Sequence, residues 1–346
     1  MASGGEATWD SESAEAPVNR YALTRAEVLG VVIATAIIVV LVRFAGLPIQ
    51  AGDDFLWYRN GVDRLVAGLP PYDPRLLAGS YAFNAPENFY VFNMAPWLIP
   101  IVAPFTLLPP DAGRWAWLVA MDVCTAAAIV LVLPERHRLL IAILLILSTP
   151  VLMSLVWGNL TGLVMLGVAL WLRGRERGRD GVMALGLILA SLKLLPAVPL
   201  ALAMLREGRW RAVLASGAIV GAAVGVLMLI TGRNLLVDFA QIISNIRLDE
   251  RTSIAPAAFL GPASLLPIRI ACGLAILVIA LRSSSLLAVA TMELLVCGLV
   301  TNLYVDWLLA PAFVFIFALR ARDRGQAAWS TRPGASRETV ARGEVA

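Results

Sequence analysis

Residues 181–205 read GVMALGLILASLKLLPAVPLALAML, an apolar run whose only charged side chain is Lys193. An arginine-rich cluster lies on each side of this run, RGRERGRD at 173–180 and REGRWR at 206–211. Arginines close to membrane spans stay in the cytosol. One straight span would separate the clusters, whereas two short helices that turn near Lys193 and Pro196 keep both inside. The sequence therefore predicts a helical hairpin here.

The composition of the whole chain indicates that lipid is its main solvent. Of the 346 residues, 59% are apolar and 15% are charged, against about 45–50% and 25% in soluble domains. A single soluble core does not grow to absorb such an excess. Disorder, collagen and a disulfide scaffold are excluded by the same numbers. The formal net charge of +4 is explained by cytosolic arginines, so no nucleic-acid partner is expected.

The apolar pattern predicts an all-α, polytopic membrane domain at 27–320 with both chain ends in the cytosol. Polar tails at 1–26 and 321–346 are expected to be disordered and cytosolic. Besides the two halves of the hairpin, the predicted spans lie at about 27–47, 115–133, 139–156, 158–172, 212–231, 264–281, 285–302 and 304–320. The fold is thus expected to be a helical bundle of about ten spans.

A long external loop is predicted at about 48–114, because this segment is rich in proline, aromatic residues, Asn and Asp. Its apolar part, FNMAPWLIPIVAPFTLLPP at 92–110, contains four internal prolines. Proline removes a backbone donor and breaks a helix. An interfacial or re-entrant segment is therefore favoured here over a full span.

Two adjacent carboxylates, Asp53 and Asp54, follow the first predicted span. A solvated turn is the simple interpretation, since Gly-Asp-Asp is ordinary turn composition. A catalytic carboxylate is the alternative. It is favoured by the nearby rings of Phe55, Trp57 and Tyr58, because aromatic residues hold a segment at the membrane interface.

Several other charged residues fall inside or close to predicted spans. A lysine at membrane depth is usually functional, so Lys193 either binds an anion or extends its ammonium to the nearest interface. Asp122 and Glu293 are ion-site or hydrogen-bonding candidates, and Asp306 is expected to cap a helix. Arg269, close to an external helix end, is a second candidate for a phosphate contact.

Taken in order, four motifs resemble glycosyltransferase family 87, the membrane enzymes of the polyprenyl-phosphate-mannose-dependent type with a GT-C fold. The resemblance covers about residues 28–320. The sequence departs from the family pattern in two places: the turn at Gly158-Asn159 lacks the family's Gln, and the segment Thr301-Asn302-Leu303-Tyr304 lacks its histidine. The motifs are Asp54-Phe55-Leu56-Trp57-Tyr58 with Gly68-Leu69-Pro70-Pro71-Tyr72, the proline-rich stretch Phe89 to Pro110, the turn Gly158-Asn159-Leu160-Thr161, and Lys193 with Pro196 ahead of Arg206 to Trp210.

The resemblance implies an inverting sugar transfer, of mannose first of all, from a polyprenyl-phosphate donor to a glycolipid or glycan acceptor. The reaction would take place at the external face of a bacterial plasma membrane. Asp54 would be the general base, with Asp53 as its neighbour or substitute, and Lys193 and Arg269 would stabilise the leaving phosphate. The residues expected to line the substrate site are Phe55, Trp57, Tyr58, Tyr72, Asn159 and Tyr304.

No cofactor and no metal are expected, because a lipid-phosphate sugar is already activated and no phosphate-binding glycine motif is visible. The single histidine and the three cysteines form no zinc-ligand pattern. Arabinofuranose or another pentose or hexose stays open as the sugar. A lipid or solute transporter and a structural subunit are the other classes, although the internal repeats of many transporters are not evident.

Overall fold

The computed structural model describes residues 52–77, 92–132 and 157–245, together with Ala271 and Val278. Every regular element in these ranges is helical, which confirms the all-α prediction for this part of the chain. A short 3-10 helix at Pro96–Leu98 leads into α3. The α-helices are α1 (Asp53–Val66), α2 (Pro74–Leu77), α3 (Ile99–Thr106), α4 (Pro110–Val132), α5 (Thr161–Glu176), α6 (Asp180–Ala190), α7 (Leu194–Arg206), α8 (Trp210–Thr231) and α9 (Leu235–Asn245).

Two of these helices, α4 with 23 residues and α8 with 22, are long and apolar enough to cross a membrane. At 1.5 Å per residue each is roughly 33 Å long, and the hydrocarbon core of a bilayer is about 30 Å thick. The exposed side chains of α8 include Leu214, Ile219, Leu229 and Ile230, which suits contact with lipid. Apart from Ala271 and Val278, the spans predicted at 27–47, 139–156 and beyond 263 lie outside the described residues, so the count of ten stays a prediction.

The segment predicted as a loop at 48–114 contains helices in its described parts. α1 and α2 lie near its start, and α3 near its end. Residues 92–110 do not form one helix, as the prolines predict, although Pro104 lies inside α3. The eight residues of α3 extend only about 12 Å, too short to cross a membrane alone. α4 begins at Pro110, earlier than the predicted span, because proline is well suited to the first position of a helix.

The predicted hairpin is confirmed. α6 ends at Ala190 and α7 begins at Leu194, with Lys193 as its N-cap. Arg175 Nε lies 2.6 Å from Glu207 Oε1, and Arg209 pairs with Asp180. These two ion pairs hold the arginine clusters side by side, so the α6–α7 unit turns back on itself.

Close packing of α5 on α6 positions the turn of the hairpin. A Cβ atom added to Gly186 would lie 2.5 Å from the backbone nitrogen of Trp171. Only glycine allows the two helix backbones to approach this closely, as small residues do in membrane helix pairs. Because α5 and α6 run antiparallel, the start of α5 at Thr161 lies beside the end of the α6–α7 turn at Lys193, where their side chains meet.

Candidate functional site

Asp53 and Asp54 are the first two residues of α1, so they begin a helix and do not sit in an extended loop. Gly52, just ahead of them, has a φ of 82° and accepts a hydrogen bond from the backbone nitrogen of Phe55 at 3.0 Å. The start of a helix has unpaired N–H groups and the positive end of the helix dipole. Both favour a negative carboxylate. Asp54 is half-buried at this position.

Trp117 of α4 fastens α1 to the turn ahead of α5. Its ring packs on Phe55 at 5.9 Å and on Tyr58 at 5.6 Å between ring centroids. Its Nε1 donates a buried hydrogen bond of 2.6 Å to the carbonyl of Gly158. The Tyr58 hydroxyl also accepts from the backbone nitrogen of Leu160 at 3.4 Å. These contacts fix the distance between the start of α1 and the turn at 158–160.

The aromatic residues expected to line the substrate site are mostly core residues. Phe55, Tyr58 and Tyr72 have no exposed surface, so in this structure their rings pack within the core, and their role as substrate-lining residues stays a prediction. Residues 55 and 58 lie three apart on α1 and therefore share its inward face. Trp57 is half-buried and is the member of this aromatic set that reaches the surface within the described residues.

Tyr72 belongs to the same buried hydrophobic cluster as Phe55 and Tyr58. Its hydroxyl donates to the carbonyl of Met94 at 2.9 Å, and its ring packs on Phe92 at 5.3 Å between centroids. Burial, and then the negative charge of Asp238, raise the pKa of Tyr72 above its ordinary value. The phenol is therefore neutral and acts as a structural donor.

The turn at Gly158 meets Gly52 almost backbone to backbone. Gly158 has a φ of 70°, and a Cβ atom added to it would lie 3.1 Å from the Cα of Gly52. A positive φ and this close approach both require glycine. Asp54, two residues after Gly52, and Asn159, directly after Gly158, are brought together as a consequence.

Four side chains form a continuous hydrogen-bonded path from the carboxylate to the ammonium. Asn159 Nδ2 donates to Asp54 Oδ2 at 2.7 Å. Asn159 Oδ1 accepts from the Thr161 hydroxyl at 2.7 Å and from the Thr161 backbone nitrogen at 3.1 Å. Lys193 Nζ donates to Thr161 Oγ1 at 2.9 Å. This path, called the Asp54–Lys193 network below, joins a carboxylate and a cation that sequence reasoning chose separately.

Thr161 is the member of the network that sequence reasoning did not assign to the site. The turn Gly158-Asn159-Leu160-Thr161 contains the signal, because an Asn side chain that bonds the backbone two residues on forms a common local turn. Arg269 and Tyr304 lie outside the described residues, as do Glu293 and Asp306. Asp122 is buried in α4, where it is 3% exposed. No hydrogen bond among the described residues joins it to Asp54.

The described residues contain no group of three His, Cys, Asp or Glu side chains placed to hold a metal ion. What they do contain is a carboxylate and an ammonium at one end of an apolar helical bundle. That arrangement suits chemistry on a substrate with a hydroxyl to be deprotonated and an anionic group to be neutralised.

The fold and site therefore define an α-helical membrane protein with a candidate acid–base and anion site. A model of glycosyltransferase family 87 matches residues 95–332, more than half of the chain, and the chain belongs to that family. It is accordingly a glycosyltransferase, which acts on a sugar donor and an acceptor. No curated protein and no solved structure matches the chain. The matched region contains Asn159, Thr161 and Lys193, and begins after Asp54.

Proposed function

We propose that this glycosyltransferase moves a sugar, mannose first of all, from a polyprenyl phosphate to a lipid or polysaccharide acceptor with inversion at the anomeric carbon. The observation that carries the proposal is the Asp54–Lys193 network, in which a 2.7 Å hydrogen bond to Asp54 and a 2.9 Å hydrogen bond from Lys193 are joined through two side chains. A transfer of this kind needs both charges in one site, a base for the acceptor and a cation for the leaving group.

Asp54 would act as the general base. Its carboxylate takes the proton of the acceptor hydroxyl while that oxygen attacks the anomeric carbon, on the face opposite the phosphate. The bond between the anomeric carbon and the phosphate oxygen breaks, and its electron pair leaves with the polyprenyl phosphate. Base catalysis of this kind contributes roughly 10²- to 10⁴-fold to the rate.

Lys193 would stabilise the leaving phosphate, because a cation aimed at developing negative charge lowers the barrier most. Arg269 is the second cation in this proposal, and Trp57 and Tyr304 would border the sugar. The phosphate–sugar bond supplies the activation, so neither a nucleotide nor a metal ion is part of the proposed mechanism.

The site is proposed to open to the external side of the plasma membrane, with both chain termini in the cytosol. Thr161 begins α5, and Arg173 and Arg175 lie in its last turn, so the network and the arginine clusters are at opposite ends of a helix roughly 24 Å long. Arginine clusters favour the cytosolic side. The opposite end then meets the level at which a lipid-linked donor presents its phosphate.

The test is a transfer assay with the purified chain in lipid nanodiscs, radiolabelled polyprenyl-phosphate mannose, and extracted membrane lipids and glycans as acceptors. Asp54→Asn keeps the shape of the side chain and cannot take up the proton. We expect it to transfer at least on the order of 10²-fold more slowly, with donor binding largely kept. Asp53→Asn is the matched control one residue away and should be the milder change.

The outcomes of this assay show which carboxylate is the base and which sugar is transferred. Full activity in Asp54→Asn, Asp53→Asn and the double variant would remove the carboxylate-base mechanism at this helix. An inactive Asp53→Asn beside an active Asp54→Asn would make Asp53 the base. Transfer from another polyprenyl-phosphate sugar, and none from the mannose donor, would reassign the sugar and keep the mechanism.

Lys193→Met tests the phosphate contact, because methionine keeps most of the apolar stem and removes the charge. Charge-assisted hydrogen bonds to phosphate are roughly twice as strong as neutral ones. We expect the KM for the polyprenyl-phosphate donor to rise by at least about 10-fold. A variant with the parental donor KM and rate would show that Lys193 only extends to the interface.

A further inference from the structure

We propose that Asn159 and Thr161 are positioning residues that hold the Asp54 carboxylate ionised and in one orientation for catalysis. This inference rests on the proposed function of Asp54 as the base. It assigns a role to two side chains that would not themselves contact the reacting atoms. The basis is the direction in which every hydrogen bond of the Asp54–Lys193 network runs.

The orientation of the Asn159 amide follows from its neighbours. The backbone nitrogen of Thr161 can only donate, so the Asn159 atom 3.1 Å away must be the acceptor Oδ1. The amide nitrogen then has to face Asp54 Oδ2, at 2.7 Å. Because Nδ2 only donates, the atom of Asp54 that it meets has to accept, which an ionised carboxylate does with both oxygens.

The direction of the remaining links follows in the same way. An ammonium can only donate, so the bond of 2.9 Å from Lys193 Nζ leaves Thr161 Oγ1 as its acceptor. Oδ1 of Asn159 can only accept, so the Thr161 hydroxyl has to direct its hydrogen there, at 2.7 Å. Every donor in the path therefore points from the cation towards the carboxylate.

A path in which all donors point one way is cooperative, because each bond polarises the next. Its anionic end at Asp54 and its cationic end at Lys193 match that polarity. The middle of the path is shielded from solvent, since Thr161 is 3% exposed, whereas Asp54, Asn159 and Lys193 are half-buried. The network thus favours the form of Asp54 that can accept a proton from a hydroxyl, and it restricts rotation of that carboxylate.

The competing explanation is purely structural. Asn159 Oδ1 bonds the first backbone nitrogen of α5, a local turn that Asn and Asp side chains both make. If that were its whole role, aspartate would replace it without loss. The two explanations therefore make opposite predictions for one substitution.

Asn159→Asp separates them in the transfer assay with radiolabelled polyprenyl-phosphate mannose. The aspartate keeps both bonds to Thr161 but puts a second oxygen against Asp54 in place of the amide donor. We expect kcat to fall on the order of 100-fold, with the donor KM within about threefold of the parent because Lys193 is unchanged. The thermal unfolding temperature in detergent should stay near that of the parent.

Thr161→Val and Thr161→Ser form a matched second pair. Valine keeps the branched shape and the backbone donor but removes the hydroxyl that links Asn159 to Lys193. We expect kcat to fall roughly 10-fold. Serine keeps the hydroxyl and loses only a methyl group, so Thr161→Ser should restore most of the parental rate.

Two results would overturn the inference: a parental kcat in Asn159→Asp, or a rate in Thr161→Ser as low as in Thr161→Val. Asp54→Asn, measured in the same assay, distinguishes a failure of the positioning role from a failure of the proposed function. If Asp54→Asn is inactive while Asn159→Asp is unimpaired, only the positioning role is lost. If Asp54→Asn is fully active, the base assignment fails and the positioning role fails with it.

Discussion

Gly158→Ala should damage both the stability of the protein and its activity, because this glycine holds two parts of the site in contact. Its φ of 70° lies in the left-handed region, where a residue with a Cβ atom costs about 1–2 kcal/mol. The new Cβ atom would also lie 3.1 Å from Gly52 Cα and 3.2 Å from Leu118 Cδ2. Carbon atoms pack best about 3.5–4.0 Å apart.

The contact with Gly52 is the more damaging one, because a backbone atom cannot turn away as a flexible side chain can. Relief requires the turn at 158 and the start of α1 to separate by a few tenths of an ångström. Overpacking of this kind costs typically about 1–3 kcal/mol. The same separation lengthens the adjoining bond between Asn159 and Asp54, which is 2.7 Å in the native structure.

Gly178→Ala is the matched control. Gly178 has a similar φ of 65°, but a Cβ atom there would meet nothing within 4 Å, and the residue lies at the arginine end of α5. It should therefore show the backbone cost alone and keep the parental kcat. We expect Gly158→Ala to unfold at a lower temperature than Gly178→Ala in detergent, and to transfer sugar at least about 10-fold more slowly at a temperature where both are folded. Equal stability and equal kcat in the two variants would refute this account of the Gly52–Gly158 contact.

Two further predictions concern charge. Burial raises the pKa of Asp73, but the hydrogen bonds and charge of Arg75, with the charge of Arg64, outweigh it and hold that pKa below the ordinary 3.8. The ionised carboxylate therefore stabilises the folded protein above pH 3.8, and this stabilisation is lost as the pH falls below that value. In Asp73→Asn the unfolding temperature should fall less steeply with decreasing pH in this range. A fall as steep as in the parent would contradict this prediction. Cysteines introduced at 175–179 and at 207–209 should react with a membrane-impermeant reagent from the same side, and labelling from opposite sides would contradict the hairpin.

The hairpin could be predicted from the sequence because charge bias is a long-range signal that needs no contacts. Two arginine clusters around a short apolar run allow few arrangements, and the ion pair of Arg175 with Glu207 at 2.6 Å is the local consequence. The helical class could equally be predicted, since it follows from composition. The sequence also indicated Asp54 and Lys193 individually, by position and by the cost of charge in lipid.

The contacts that join these residues could not be predicted from the sequence in the same way. Asp54 and Asn159 are 105 residues apart, and their meeting depends on the close approach of two glycines that look like ordinary turn residues. The burial of the aromatic residues is difficult to predict for a related reason. The residue type alone does not tell an aromatic ring at a membrane interface from one in a core. The only signal for Phe55 and Tyr58 is their spacing of three residues, which puts both on one face of a helix. In the structure both are fully buried against Trp117.

The position of α5 links the side on which the arginines lie to the side on which chemistry is possible. Its last turn carries Arg173 and Arg175, and its first residue, Thr161, bonds Lys193. In the proposed topology α5 crosses the bilayer, so its two ends would lie on opposite sides. With the arginines in the cytosol, as proposed, the Asp54–Lys193 network would face the other side. The proposed donor, which carries its phosphate on a lipid, would reach that position without leaving the membrane, which a nucleotide-linked sugar in the cytosol could not do.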